Sequence, residues 1–360
     1  VKIAIIGLPN CGKTSVFNAL TRQTVETAAF SSGRMEPNLA AVKVPDPRLQ
    51  ALTAIYKPKK TTAAEVQYVD VNAFRGGEAK EKELSPELLG YIGAADALLH
   101  VVRAFDDDHV AHPRGSVDPQ RDHDQVELEL IFSDLMVIER RLERLEKELR
   151  KLAGQEKEIR ADEKELLDRL KADLEQERPL RDHDLSPQEE KLLRGYALLS
   201  LKPVLVVPNI GEDRIAEPPI LKVSSGRSSV VPLSAKIEAE MAQLNDSEAA
   251  EFMESLGIKE PARDRVIASS YALLGLISFL TVGEDEVRAW AIRKGTAAVE
   301  AAGVIHSDIQ RGYIRAEVVA YQDLVQARNM VAAKKLGKVR LEGKEYVVQD
   351  GDICHFLFNV

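Results

Sequence analysis

The stretch Gly7-Leu8-Pro9-Asn10-Cys11-Gly12-Lys13-Thr14 constrains this chain more than any other, because it follows Lys2-Ile3-Ala4-Ile5-Ile6, an apolar run that reads as a buried strand. The pattern GxxxxGK[ST] between a strand and a helix, here Ser15–Leu20, is a phosphate-binding loop. Gly7 and Gly12 let the backbone curl until successive N–H groups point inward, and the N-terminus of the following helix adds positive potential at the same spot. The loop donors fall within Asn10, Cys11, Gly12, Lys13, Thr14 and Ser15. Lys13 is placed to reach the β- and γ-phosphates and so to stabilise the reacting group, while the Thr14 hydroxyl is a ligand for Mg²⁺. The ligand this predicts is a nucleoside triphosphate.

Composition narrows the setting. The chain has 360 residues, enough for more than one domain. Its formal charge of −9 argues against a generic polyanion binder, though not against a local basic face. Two cysteines, Cys11 and Cys354, imply no disulfide framework and fit a reducing, cytoplasmic setting. No stretch approaches the roughly 18 uninterrupted apolar residues of a membrane span, and the first residues read as a strand, so neither a membrane span nor a signal peptide is expected.

Texture divides the chain into four segments. Residues 1–123 alternate apolar runs with helical patterns, as a parallel α/β sheet does, with strands expected at Val66–Asp70 and Ala97–Val102. Residues 124–199 change character: Ile131, Leu135, Ile138, Leu142, Leu145, Leu149 and Leu152 recur at steps of four and three among Glu, Arg and Lys. That is a coiled-coil seam of about three heptads. Gly154 breaks it, and a second helix carries Ile159, Leu166, Leu170 and Leu174 on one face, ending before Pro179. The simplest arrangement is an inserted antiparallel helical hairpin. Residues 200–276 return to the sheet pattern, with strands at Pro203–Pro208 and Val230–Leu233. Residues 277–360 hold short strand-like runs, Ser278–Val282, Val287–Ile292, Tyr346–Val348 and Phe356–Val360, spaced by Gly-containing turns.

A phosphate loop of this kind pairs with a second Mg²⁺ contact at the end of a neighbouring strand, and Asp70 is the candidate. A nucleobase would lie against the loop after a later strand, at the carboxyl edge of the sheet. There the chain reads Asn209-Ile210-Gly211-Glu212, followed downstream by Pro232-Leu233-Ser234-Ala235-Lys236. GTP-selective relatives of such proteins carry Asn-Lys-x-Asp at that place. Ile210 replaces the Lys and Glu212 the Asp, and a carboxylate one methylene longer cannot make the same planar pair with guanine. Adenine becomes the better candidate, with Asn209, Ile210, Glu212, Ser234 and Ala235 as its contacts.

With these residues in place the chain resembles the Obg-related YchF / Obg-like ATPases, nearly from end to end. The resemblance rests on Pro9-Asn10, on Asn209-x-x-Glu212, on Glu36-Pro37-Asn38 with Pro45-Asp46-Pro47-Arg48, and on the helical insertion. Glu286-Val287-Arg288-Ala289-Trp290, Asp350-Gly351-Asp352 and Phe356-Leu357-Phe358-Asn359-Val360 extend it to the end of the chain. It implies a P-loop NTPase fold with a Ras-like G domain, an inserted coiled-coil hairpin and a C-terminal β-rich TGS domain. It also implies ATP over GTP, a cytosolic location and association with ribosomes, with no membrane or DNA partner. Two positions depart from the family pattern, Arg34 standing for a switch Thr and Ala73 for the Gly of Asp-x-x-Gly at Asp70–Ala73, and the following glycine-rich stretch is shortened to Arg75-Gly76-Gly77-Glu78.

Ras-like enzymes orient water with a Gln after Asp-x-x-Gly; Phe74 occupies that position. The family instead implies a histidine downstream of the His100-Val101-Val102-Arg103 strand, which maps to His112, with His109 close by. A neutral imidazole can accept a water proton or hold the water in line. The resulting expectation is a slow ATPase whose nucleotide state governs ribosome binding. Two alternatives stand beside it: a non-hydrolysing ATP-gated module, and a GTPase of the ordinary Obg kind. A basic set near the C-terminus that includes Arg293, Lys294, Lys334, Lys335, Lys338 and Arg340 offers a face for ribosomal RNA phosphates.

Overall fold

A computed structural model of the chain describes residues 1–23, 37–71, 86–224 and 226–359. Arg34, Ala73, Phe74 and the Arg75–Glu78 stretch lie outside the described residues. In chain order the first elements are β1 (Lys2–Ile6), α1 (Lys13–Thr21), β2 (Asn38–Lys43), α2 (Pro47–Tyr56), β3 (Lys60–Thr62), β4 (Glu65–Asp70), α3 (Pro86–Gly93) and β5 (Ala97–Ala104). Then come α4 (Pro119–Leu149), α5 (Gly154–Leu174), α6 (Pro187–Leu193), β6 (Val204–Ile210), β7 (Ser228–Val230), α7 (Ala235–Met241), α8 (Asp246–Ser255) and α9 (Ala262–Leu273). The last are β8 (Leu276–Val282), β9 (Glu286–Arg293), α10 (Ala298–Ile305), α11 (Ser307–Arg311), β10 (Tyr313–Ala320), α12 (Tyr321–Ala327), α13 (Met330–Lys335), β11 (Arg340–Glu342) and β12 (Asp352–Phe358).

Two compact units form, 1–40 with 67–266, and 41–66 with 267–360. The first is built on a sheet of order β2-β4-β1-β5-β6-β7. Parallel pairing of β1 with β4 and β5, and of β6 with β5 and β7, buries the central strands on both faces, which is why they read as unbroken apolar runs. The strand expected at Val230–Leu233 ends at Val230, because Pro232 has no N–H for the ladder. The chain stays extended beyond it, and Leu233 N–H bonds Pro208 O at 3.0 Å.

The hairpin forms with a seam shorter than the leucine spacing predicts: α4 ends at Leu149, and neither Leu149 nor Leu152 joins the buried cluster. Ile131, Ile138, Leu142 and Leu145 of α4 pack against Leu166, Leu167, Leu170 and Leu174 of α5, and Leu180, Leu193 and Leu198 close the same cluster. Gly154 opens α5 with φ +61°, a left-handed turn that suits glycine. Ile159 is not part of the seam; it is 52% exposed. An ionic cluster reinforces the packing. Arg141 Nε meets Glu163 Oε1 at 2.7 Å, Arg160 Nη1 meets Oε2 at 2.7 Å, and the Tyr196 hydroxyl donates to Oε1.

In the second unit the sheet runs β11-β10-β12-β8-β9-β3, so Lys60–Thr62, read from sequence as part of 1–123, is an edge strand beside β9. Arg48 ties this stretch to its own unit, bonding Asp46 and, at 2.8 Å, Asp350. Tyr346–Val348 is not a strand; Val347 makes a single bridge to Ala297, while Tyr346 N–H turns back to Gly343 O. Phe279, Ile292, Ala298, Ala302, Val318 and Phe356 lie in this unit's core. Cys11 and Cys354 are both free and buried, each in its own unit.

Candidate functional site

The site begins where β1 delivers the chain to Gly7. Gly7 has φ +148° and Gly12 has φ +90°. A Cβ on Gly7 would collide with Val101 O, and one on Gly12 with the Asn209 carboxamide, so both need glycine for conformation and for space. Gly12 caps α1 without a side-chain hydrogen bond, which leaves first-turn N–H groups directed at the loop, as anion-binding helix ends require. Lys13 is 7% exposed; its ammonium donates to Gly7 O and Leu8 O, both at 2.8 Å, and so lies folded along the loop. Asn10, at φ +61°, turns its amide to donate to Ala111 O at 3.0 Å. Ser15 follows in the first turn of α1, half-buried. Burial raises the Cys11 thiol above its ordinary pKa, so it stays protonated and inert beneath the loop.

Asp70 ends β4 beside Ile5 of β1 and is fully buried. The Thr14 hydroxyl donates to Asp70 Oδ2 at 3.0 Å. A hydroxyl and a carboxylate converging at the phosphate end of a helix are hard oxygen donors, the set that suits Mg²⁺ rather than a softer metal.

In the loop after β6, Asn209 is 5% exposed and both ends of its amide are occupied within the chain. Nδ2 donates to Cys11 O at 3.1 Å, and Oδ1 accepts from Ala235 N–H at 3.1 Å. Asn209 therefore braces the phosphate loop against the start of α7. Ser234 caps α7, and its hydroxyl accepts from Ile237 N–H. Ile210 is buried, its N–H bonded to Leu233 O. Glu212 reaches outward and pairs with Lys236 at 2.7 Å, with side-chain exposures of 48% and 72%. Sequence reading assigned Asn209 to the nucleotide, and the brace was invisible to it because Cys11 and Ala235 lie far away along the chain.

His112 follows β5 in a loop pinned from inside. Arg103, 3% exposed, donates to Phe105 O at 3.2 Å and Val110 O at 2.8 Å. The His112 side chain is 5% exposed and shares a recess with Leu8, Pro9 and Cys11. Its Nε2 lies 2.7 Å from Asp122 Oδ2, and its Nδ1 accepts from Arg114 N–H at 3.0 Å. Asp122 escaped the sequence reading; an acid in the first turn of a helix capped by Asp118 and opened by Pro119 reads as a helix-end charge.

Deeper in, His100 of β5 and His123 of α4 stack with Nδ1 atoms 3.3 Å apart, and burial holds both imidazoles below their ordinary pKa, hence neutral. Glu127 lies close enough to complete a ligand set, but the fully buried Arg181 guanidinium already neutralises its carboxylate. In the second unit Lys334 pairs with Glu317 at 2.7 Å and Lys338 with Asp323 at 3.1 Å, so two of the lysines expected to face RNA have their charge locally offset.

Comparisons with known proteins bear on the chain as a whole. Residues 2–161 match the family model of the 50S ribosome-binding GTPases, and residues 276–359 match the YchF GTPase C-terminal family, described as a protein of unknown function. The ribosome-binding ATPase YchF of Bacillus subtilis (strain 168) is 44% identical, over 99% of this chain and 98% of the relative. That of Pasteurella multocida (strain Pm70) is 41% identical, over 100% and 99%. The solved structure of the Schizosaccharomyces pombe YchF GTPase superposes with a TM-score of 0.87 at 33% identity, over 99% of this chain and 97% of that one. Similarity of this depth along both whole chains, together with the phosphate loop and Asn209-x-x-Glu212, makes the chain a member of the YchF family.

Proposed function

We propose that this chain binds ATP, hydrolyses it slowly and associates with ribosomes under control of the bound nucleotide, in the cytoplasm. The observation that carries the choice of nucleotide is the base loop. Ile210, buried, stands where a guanine-binding Lys would lie, and Glu212 extends outward to Lys236 instead of presenting a short carboxylate to guanine N1–H and the 2-amino group. Lys13 and the amides of Asn10–Ser15 hold the phosphates in this reading, with Ile210, Ser234 and Ala235 along the base and Asn209 keeping the two loops in register. Thr14 and Asp70 would hold Mg²⁺, which supplies charge neutralisation at the β- and γ-phosphates when bound. Phosphoryl transfer is mostly positioning and charge stabilisation, so Lys13 carries the electrostatic part and His112 the placement of water.

In this reading residues 1–123 and 200–276 form the nucleotide-binding domain, 124–199 the helical insertion and 277–360 the TGS domain, whereas the compact units group 41–66 with 267–360. A second reading, an ATP-gated module without turnover, is favoured by the His112 ring, whose two nitrogens are both engaged within the chain.

Calorimetric titration of ATP and GTP side by side, followed by phosphate release, tests the assignment. ATP should bind roughly ten- to a hundredfold more tightly, the size of a lost paired hydrogen bond to a buried base edge, about 1–3 kcal/mol. Equal or tighter GTP binding would reject it, and ATP binding without phosphate release would leave the gated module. Salt-sensitive co-sedimentation with ribosomes tests the partner. Because Lys334 and Lys338 are paired within the chain, charge reversal at Lys335, Arg293 and Lys294 is the more informative variant.

A further inference from the structure

The loop between β5 and α4 is built to hold one side chain still. Arg103 grips its backbone from below, and Asn10 of the phosphate loop donates to Ala111 O, the carbonyl immediately before His112. The Arg114 N–H donates to His112 Nδ1, so the lone pair of the ring is on Nδ1 and its proton on Nε2. That proton is donated to Asp122 Oδ2 at 2.7 Å, with the two side chains 5% and 4% exposed. The other Asp122 oxygen, Oδ1, is taken by Arg121, at 3.1 Å from Nε and 2.8 Å from Nη2. Every polar atom of the pair is satisfied, and the contact has the length of a charge-assisted hydrogen bond.

An imidazole in this state can do nothing for water. Nδ1 has no free lone pair to accept a proton, and the Nε2 proton is committed to the carboxylate. We propose that Asp122 is a positioning residue that latches His112 in a resting orientation, and that turnover requires the His112–Asp122 hydrogen bond to break. The proposal rests on the reading of His112 as the group that places water. Asn10 gives the latch its connection to the nucleotide, since the same residue belongs to the phosphate cradle and anchors the histidine loop. Filling the cradle therefore changes the constraint on Ala111 and, through it, on His112.

The test measures single-turnover phosphate release and KM for ATP in Asp122→Asn, His112→Ala and the double variant. Acylation of His112 by diethyl pyrocarbonate is mapped in parallel by mass spectrometry. Asp122→Asn keeps the shape of the side chain and replaces a charged acceptor with a neutral one. The expected result is a rise in kcat of several-fold to about tenfold, with KM within twofold and a matching rise in His112 acylation. The double variant should fall to the rate of His112→Ala. In the wild-type protein, a non-hydrolysable ATP analogue should raise His112 acylation over the nucleotide-free protein, which needs no substitution to observe.

Three results overturn the latch. Loss of kcat in Asp122→Asn to the level of His112→Ala would mean that Asp122 orients the working imidazole. Unchanged rate and acylation in Asp122→Asn, with His112→Ala slow, would mean that the pair restrains nothing. A His112→Ala protein that turns over at the wild-type rate would overturn the reading of His112 and the latch together, a pattern distinct from the other two.

Discussion

At the phosphate loop single atoms decide the geometry: one Cβ at Gly12 would displace Asn209, and the Asn209 amide joins Cys11 to Ala235. In the helical hairpin of the same unit the load is spread over a leucine and isoleucine seam and over several charges around Glu163. The first arrangement suits a ligand that must be gripped by backbone at fixed distances, where no alternative contact can take over. The second is a continuous packed seam, where a truncated side chain is felt in unfolding free energy and not at the ligand site. Steric precision in one place and continuous packing in the other predict different responses to substitution.

The largest expected effect is on the hairpin's stability. Leu145 is fully buried in the seam, and Leu145→Ala should cost about 2–5 kcal/mol of unfolding free energy. Ile159→Ala, on the exposed face of α5, should stay within about 0.5 kcal/mol. Chemical denaturation of both variants checks the contrast, and equal losses would break the distinction between seam and surface. ATP affinity should be unchanged in either.

Next comes Gly12→Ala. The left-handed φ and the collision with Asn209 together should impose roughly 1–3 kcal/mol of strain, with ATP affinity falling about ten- to a hundredfold. A titration showing less than a threefold change would mean that the loop is less exacting than its geometry implies.

The smallest effect sharpens the electrostatic side of the comparison. Burial alone would push Glu163 up, but hydrogen bonds from Arg141, Tyr196 and Arg160 outweigh it and hold the carboxyl at about 2. Its folded pKa lies below the unfolded value of about 4.3, so the unfolded chain binds more protons between those values. The stabilisation is complete above about pH 4.3 and is lost as pH falls toward 2. After allowance for solvent screening it amounts to about 1 kcal/mol. Unfolding curves at pH 7 and pH 3 for wild type and Glu163→Gln should show the gap between the two proteins narrowing at the lower pH. A gap that is the same at both would mean the cluster contributes no net electrostatic term.

Legibility from sequence followed the range of the interactions. The phosphate loop, the strand before it and Asp70 at the end of β4 were readable because each depends on neighbours a few residues away, or on a strand end that the sheet pattern marks. The hairpin was readable for the same reason, since its period of four and three is a local property of a helix. Ile159 shares that period yet is exposed, because periodicity says which residues share a face and not how far the partner helix extends along it.

The amino-acid order by itself determined the loop at 7–14, the parallel strands around it, the paired helices and the presence of Ile210 and Glu212 in the loop after β6. Each of these is a rule about backbone conformation or residue chemistry that holds wherever the segment is placed. Only the tertiary structure decided that Asn209 spends its amide on Cys11 and Ala235, that Glu212 leans on Lys236, that Lys60–Thr62 extends the second sheet, and that His112 rests on Asp122. Those contacts join residues through packing, and a hydrogen bond or a strand edge finds its partner by distance in space, which no local pattern encodes.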